Sequence, residues 1–221
     1  MGILSSTIAR KVAMALSGLF LVVFLAQHFT INFTSVIAPE TFNEWSHFMG
    51  TNFLVQGVLQ PILIAGVIFH FVMGIILELR SKKARSVSYV EYKGNRNSSW
   101  VSRNMILSGA VVLAFLGLHF YDFWIPEMIY KYVENNPEDP TRYLEETVHK
   151  FEDPIRVGIY VFSFVLLAMH LWHGFASSFQ TMGVNNKFSG GIKAFTKIYA
   201  VAIPAGFIFI ALYHHFNQLP H

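Results

Sequence analysis

Charged residues are almost absent from five long stretches of this chain, and that pattern restricts its fold more than any other feature. Ala13–Ile31, Val55–Leu77, Met105–His119, Ile155–Met169 and Phe195–Phe216 contain no Asp, Glu, Lys or Arg except Arg156 and Lys197, near two of the ends. A helix needs roughly 20 mostly apolar residues to cross the bilayer core, and flanking residues bring each stretch to about that length. Composition agrees: 53% of residues are hydrophobic and 13% charged, where a soluble domain carries about 25% charged. The expected fold is an all-α membrane protein, one integral-membrane domain over residues 1–221. Its five transmembrane helices are predicted near residues 12–33, 54–79, 101–123, 154–180 and 195–216, four of them forming a bundle.

The opening MGILSSTIARKVAMALSG imitates the basic start of a signal peptide. Its apolar run is too long for one, and no small-residue cleavage site follows before His28 and Asn32, so a retained first helix is expected. The chain has no cysteine, which rules out iron–sulfur ligation, covalent haem attachment and disulfides within it.

The charges that remain report topology. Arg10 and Lys11 precede the first predicted helix. Arg80, Lys82, Lys83, Arg85, Lys93, Arg96 and Arg103 lie between the second and third, and Lys187, Lys193 and Lys197 lie about the start of the fifth. All of these fall on one side. The other side holds only Lys131, Arg142, Lys150 and Arg156, beside nine acids from Asp122 to Asp153. Lys and Arg stay cytoplasmic, so the N-terminus is expected inside and the C-terminus outside. The net charge of +3 is therefore topological and no sign of nucleic-acid binding. Outside, the turn-rich Asn135–Arg142 precedes a predicted surface helix over Tyr143–Phe151.

Four of the five predicted helices contain an interior histidine: His28, His70, His119 and His170. An ionisable group inside a membrane is expensive and marks a functional site by default. At about 1.5 Å per residue, His28 and His119 each lie roughly 24 Å from the cytoplasmic face, and His70 and His170 roughly 15 Å. Two depth-matched pairs result, His28 with His119 and His70 with His170. Two imidazoles from different helices at one depth are what a bis-histidine haem needs, with a carbonyl or hydroxyl orienting the second ring nitrogen. An internal repeat accompanies the pairing: Leu16–Phe29 reads LSGLFLVVFLAQHF and Leu107–Phe120 reads LSGAVVLAFLGLHF, identical at half of the positions. Ser17 and His28, eleven residues apart, share a helix face, as do Ser108 and His119. The other two helices carry HFVMG over His70–Gly74 and HLWHG over His170–Gly174. A glycine one turn past the histidine leaves room for a flat macrocycle and also permits close helix packing. His173 competes with His170, and the glycine at plus four favours His170. His214 and His215 are expected at the interface.

FLAQHFTIN around His28, FNEWSHFM around His47, IFHFVMG around His70, LHFYDFW around His119 and MHLWHGFASSF around His170 together resemble motifs of one family. That family is the dihaem cytochrome b (b558-type) membrane anchor of succinate:quinone oxidoreductases, and the resemblance covers nearly the whole chain. It implies two haem b groups, with His70 and His170 the axial ligands nearer the cytoplasm and His28 and His119 those of the distal haem. It implies a flavoprotein subunit and an iron–sulfur subunit on the cytoplasmic side, and a multi-pass location in the bacterial inner (cytoplasmic) membrane. It also implies a membrane quinone, menaquinone in the dihaem family, and no succinate-oxidising site on this chain.

A quinone site near the distal pair combines apolar walls with hydrogen-bonding groups. Gln27, Asn43, Glu44 and His47 are the candidates, with Asn32 and Gln56 at similar depth; an ordinary polar outer loop would read the same way. Fumarate reduction is the same chemistry run backwards. A hydrogenase or formate dehydrogenase cytochrome b also uses membrane histidines. A histidine-lined metal transporter would gather its ligands at one depth and add acids within the helices. A purely structural anchor would need no matched histidines.

Overall fold

The computed structural model describes residues 6–83, 105–136, 138–184, 186–187 and 189–218. Among them there is no β-strand. Five helices are long and apolar enough to span a membrane: α1 (Thr7–Ile37), α3 (Val55–Lys83), α4 (Met105–Tyr132), α6 (Pro154–Thr181) and α7 (Ser189–Phe216). Among the described residues two shorter helices, α2 (Pro39–Thr51) and α5 (Arg142–Lys150), lie in the connections. The spans are those expected, mostly longer by several residues. The start predicted for the third helix, at residues 101–104, lies outside the described residues, as do Arg85, Lys93, Arg96 and Arg103.

The boundaries have local causes. The Ser6 hydroxyl accepts the Ala9 N–H at 3.0 Å and starts α1. Asp153 caps α6 in the same way, accepting the Ile155 N–H at 2.9 Å ahead of Pro154. α1 ends at Ala38, which is held out of the helical region (φ −152°, ψ 74°) because Pro39 follows it. Pro39 then opens α2, a helix in what the sequence presents as a polar loop.

Two spans widen locally, and a proline accounts for each. Pro61 and Pro126 have no N–H, so neither closes the bond to the carbonyl four residues back. Immediately before them the helix takes π turns, over Val55–Leu59 and Phe120–Trp124. Gln60 bonds back to the Val55 carbonyl and Ile125 to the Phe120 carbonyl, five residues away in both cases. The second π turn begins directly after His119 and turns Asp122 inward, to 1% exposure.

α1, α3, α4 and α6 form a four-helix ring, each touching the next, and α7 packs outside it against α6 and α1. Phe151, Tyr160, Phe164, Phe207 and Ile210 fill one core, and Val22, Leu171, Phe175 and Ala200 a second. The Tyr199 hydroxyl donates to the Val22 carbonyl at 2.6 Å, tying α7 to α1. Apolar side chains also cover the outside: Val23, Ile68, Phe162 and Val201 are exposed in the middle of their helices. Backbone bonds closed within helices, beneath an apolar exterior, are what hydrocarbon solvent requires. The chain is built as a multi-pass membrane protein.

The spans alternate in direction, so α1, α4 and α7 begin at the end where α3 and α6 finish. That end carries Lys82, Lys83, Lys193 and Lys197, and is called the basic end below. At the opposite end α2, the last turns of α4 and α5 are clasped together. Asn43 donates to the Thr141 carbonyl at 2.9 Å and accepts the Leu144 N–H at 2.8 Å. Glu127 pairs with both Lys131 and Arg142, and Lys131 also donates to the Gly50 carbonyl. Arg142 lies over the rings of Tyr130 and Tyr143, at 4.0 and 4.5 Å from their centroids. Burial favours its neutral form, but the hydrogen bonds to Glu127 and Glu146 outweigh that and hold the guanidinium above its ordinary range. Burial, then the Glu127 charge, pushes the Tyr143 hydroxyl up to about 12.

Candidate functional site

Inside the ring the four interior histidines meet in twos. The His28 and His119 rings lie 5.7 Å apart between centroids, at 83°. Those of His70 and His170 lie 6.4 Å apart, at 73°. The depth estimate from sequence produces these same pairs. His173 meets no ring of α3; its nearest polar partner is Ser177, on its own helix, 3.4 Å away. Among the described residues no three His, Cys, Asp or Glu gather as they would around a fully protein-ligated ion. What the bundle offers is paired imidazoles.

The internal repeat explains how each pair is seated. Phe24 and Phe115 occupy equivalent positions, four residues before His28 and His119, and each stacks on its own histidine at 5.5 and 5.9 Å. One helical turn separates i from i+4, so the ring of one lies over the other. Eleven and ten residues before each histidine stand the Ser-Gly dipeptides Ser17-Gly18 and Ser108-Gly109. These serve the other pair. Ser17 Oγ is 3.0 Å from His70 Nδ1, and Ser108 Oγ is 3.2 Å from His170 Nδ1. A Cβ placed on Gly18 would stand 3.3 Å from His70 Cε1, and one on Gly109 3.4 Å from His170 Cε1. The repeat reaches back to Met14 and Met105, whose methyl groups a Cβ on Gly74 or Gly174 would touch at 3.6 and 3.4 Å. Each half of the bundle, α1 with α3 and α4 with α6, is thus built on one plan. Because His70 is level with Ser17, the two pairs are offset along the bundle by eleven residues of α1, on the order of 16 Å. The sequence estimate implied a smaller offset, since it measured depth from helix ends whose positions shifted.

The surroundings of the His28–His119 pair differ. Phe207 of α7 lies 5.7 Å from His28, and Phe123 lies 5.1 Å from His119. Asn32 Nδ2 donates to the His28 carbonyl at 2.8 Å and stands 3.4 Å from its Nδ1. His119 Nδ1 is buried and without a hydrogen-bond partner among the described residues. Beyond it the Tyr160 hydroxyl donates to Asp122 at 2.8 Å, and Arg156 lies 3.3 Å from the other carboxylate oxygen.

Of the residues expected near a quinone, Asn43, Glu44 and His47 all lie on α2, Asn43 and His47 one turn apart, and Gln27 lies on α1. Gln27 lines an open cleft of about 470 Å³ with Thr30, Ile31, Trp45, Phe48 and Met49. Asn43 spends both ends of its amide on the clasp to α5. Glu44 is exposed. His47 faces Glu138 at 3.7 Å and the Tyr143 ring at 6.2 Å. Sequence reasoning missed two features. His214, expected at the interface, is only 2% exposed, and its Nε2 is 2.8 Å from Ser35 Oγ across the α1–α7 contact. The Asp122–Tyr160–Arg156 group was also missed, although a lone acid at the end of an apolar span was its signal.

The residues fit a bis-histidine haem at both levels. An iron held by two imidazole nitrogens at about 2 Å each sets the ring centroids on the order of 6 Å apart, close to the 5.7 and 6.4 Å seen. The serine-bound Nδ1 atoms of His70 and His170 suit ligands whose remaining ring nitrogen faces a metal. Compared with protein-family models, with curated proteins and with solved structures, the chain matches none.

Proposed function

We propose that this chain is the haem-carrying membrane anchor of a succinate dehydrogenase, in which two b haems carry electrons between an iron–sulfur subunit at the basic end and a membrane quinone. The observation that carries the reading is the meeting of four histidines from four helices as two ring pairs inside an apolar bundle. Haem, when bound, supplies one-electron transfer at a potential tuned by its ligands and surroundings. The chain's own residues do the rest. His28 and His119 hold one iron, His70 and His170 the other. Phe24, Phe115, Phe123 and Phe207 exclude water from the first pair. Lys82, Lys83, Lys193 and Lys197 make the basic end the cytoplasmic one and offer charge to a soluble partner there. For the quinone, the cleft at Gln27 combines an amide and the Thr30 hydroxyl with walls of Trp45, Phe48 and Met49. Gln27 is next to His28 in sequence, and the cleft lies on the exposed face of α1, where a lipid-soluble molecule can reach it.

The test is haem b content with a redox titration of the purified protein, by pyridine haemochrome. Two haems per chain are expected, with two midpoints, and co-purifying flavin and iron–sulfur subunits that reduce quinone with succinate. His70→Ala and His170→Ala should remove one and the same haem, and His28→Ala and His119→Ala the other. A well-folded preparation without haem would overturn the reading. Two haems on a chain that co-purifies with a different dehydrogenase would overturn only the succinate partner.

A further inference from the structure

The serine hydroxyls beside His70 and His170 have a single proton each to give. Ser17 directs it to the Met14 carbonyl at 2.9 Å, and Ser108 to the Met105 carbonyl at 3.0 Å. With that proton spent inside its own helix, each serine oxygen turns only lone pairs toward the imidazole 3.0 or 3.2 Å away. The imidazole must then be the donor, which puts its proton on Nδ1 and leaves Nε2 bare. From this we infer that Ser17 and Ser108 are positioning residues of the His70–His170 pair, holding both rings in the tautomer whose Nε2 binds iron and raising their donor strength.

Three observations support this role beyond a helix-packing bond. The contact is made twice, by equivalent residues of the internal repeat, to histidines of two different helices. The next residue in each case is a glycine whose added Cβ would meet the same ring's Cε1, at 3.3 Å for Gly18 and 3.4 Å for Gly109. The dipeptide therefore reads one imidazole edge: serine takes the nitrogen, and glycine makes room for the carbon beside it. Lastly, the His28–His119 pair lacks such a serine, and the buried His119 Nδ1 has no partner among the described residues. The device belongs to one pair, so its removal should act on one pair.

This inference rests on the haem reading above and adds a consequence that reading does not require. A hydrogen bond accepted from Nδ1–H gives the imidazole imidazolate character and favours the ferric state. Losing it raises the midpoint potential of that haem alone. The experiment is a redox titration, with electron paramagnetic resonance of the oxidised haems, on the assembled complex in membranes. Wild type, Ser17→Ala, Ser108→Ala, the double variant and Ser17→Thr are compared. In the alanine variants the haem that His70→Ala abolishes should move to higher potential, by about tenfold in its reduced-to-oxidised ratio, or 59 mV for one electron, with altered g values. The other haem should stay unchanged, and Ser17→Thr should restore the wild-type values. Both haems present with unaltered potentials and g values in the double variant would overturn the inference and leave the haem reading standing. Equal shifts in both haems would also overturn it, as a general loosening of the bundle. A wild-type chain without haem removes the haem reading itself and is recognised before any variant is made.

Discussion

Glycines at single positions separate close approach from mere flexibility. A methyl group at Gly18 would come within 3.3 Å of His70 Cε1 and 3.4 Å of Ser178 Oγ, tighter than normal packing. The ring must give by a few tenths of an ångström, and its Nε2 moves with it. Gly117, in the same kind of helix, has nothing within 4 Å of its added Cβ. Gly18→Ala is therefore expected to lower occupancy or shift the spectrum at the His70–His170 site. Gly117→Ala should leave the spectrum of the proposed haems unchanged and gain up to about 1 kcal/mol of helix preference. Absorbance at constant protein concentration, with thermal melting in detergent, checks both. A Gly18→Ala chain indistinguishable from wild type would mean that the ring has slack here. None of this discrimination is legible in the sequence, where both positions are simply glycines in an apolar run.

At the scale of one helix, Pro126 controls the direction of the last turns of α4. Because it cannot bond back to Asp122, the helix takes the π turn Phe120–Trp124. That turn aims the downstream residues so that Glu127 and Lys131 reach Arg142 and Gly50. Restoring an N–H at this position would let the turn tighten to α geometry, rotating the end of α4 by about 100°. Intrinsic preference alone predicts a gain of about 3 kcal/mol for replacing proline in a helix. The clasp predicts the reverse: Pro126→Ala should lower the melting temperature and weaken the hold on α2 and α5, read by faster proteolysis between them. A raised melting temperature would show that the π turn is incidental. Proline marked both π turns in the sequence, but only as a helix disturbance. Whether such a site kinks, breaks or widens depends on what the downstream residues gain from the new direction.

For the whole molecule the charge distribution predicts an orientation. The basic end should face the cytoplasm, and the Glu127–Arg142 clasp the other side. Since the chain has no cysteine, single cysteines report sidedness cleanly. In intact cells, a membrane-impermeant maleimide should label Asp139→Cys or Glu145→Cys and leave Lys82→Cys unlabelled until the cells are opened. Labelling of Lys82→Cys in intact cells would invert the topology and move the proposed docking face to the opposite side.

By itself the sequence determined the five spans, their alternation and the two histidine pairings. Apolar length and charge exclusion are set residue by residue against the bilayer, and His28, His70, His119 and His170 stand out because polar groups in hydrocarbon are costly. The LSG…HF repeat was equally plain, though its meaning was not. Ser17 shares a face with His28, yet it reaches His70, because the partner of an inward-facing hydroxyl depends on the rotation and tilt of the neighbouring helix. Packing also decided that His214 is buried against Ser35 and that the inward-turned Asp122 meets Tyr160. Periodicity along a stretch of sequence says which side of a helix looks inward; only the tertiary structure decides what that side meets.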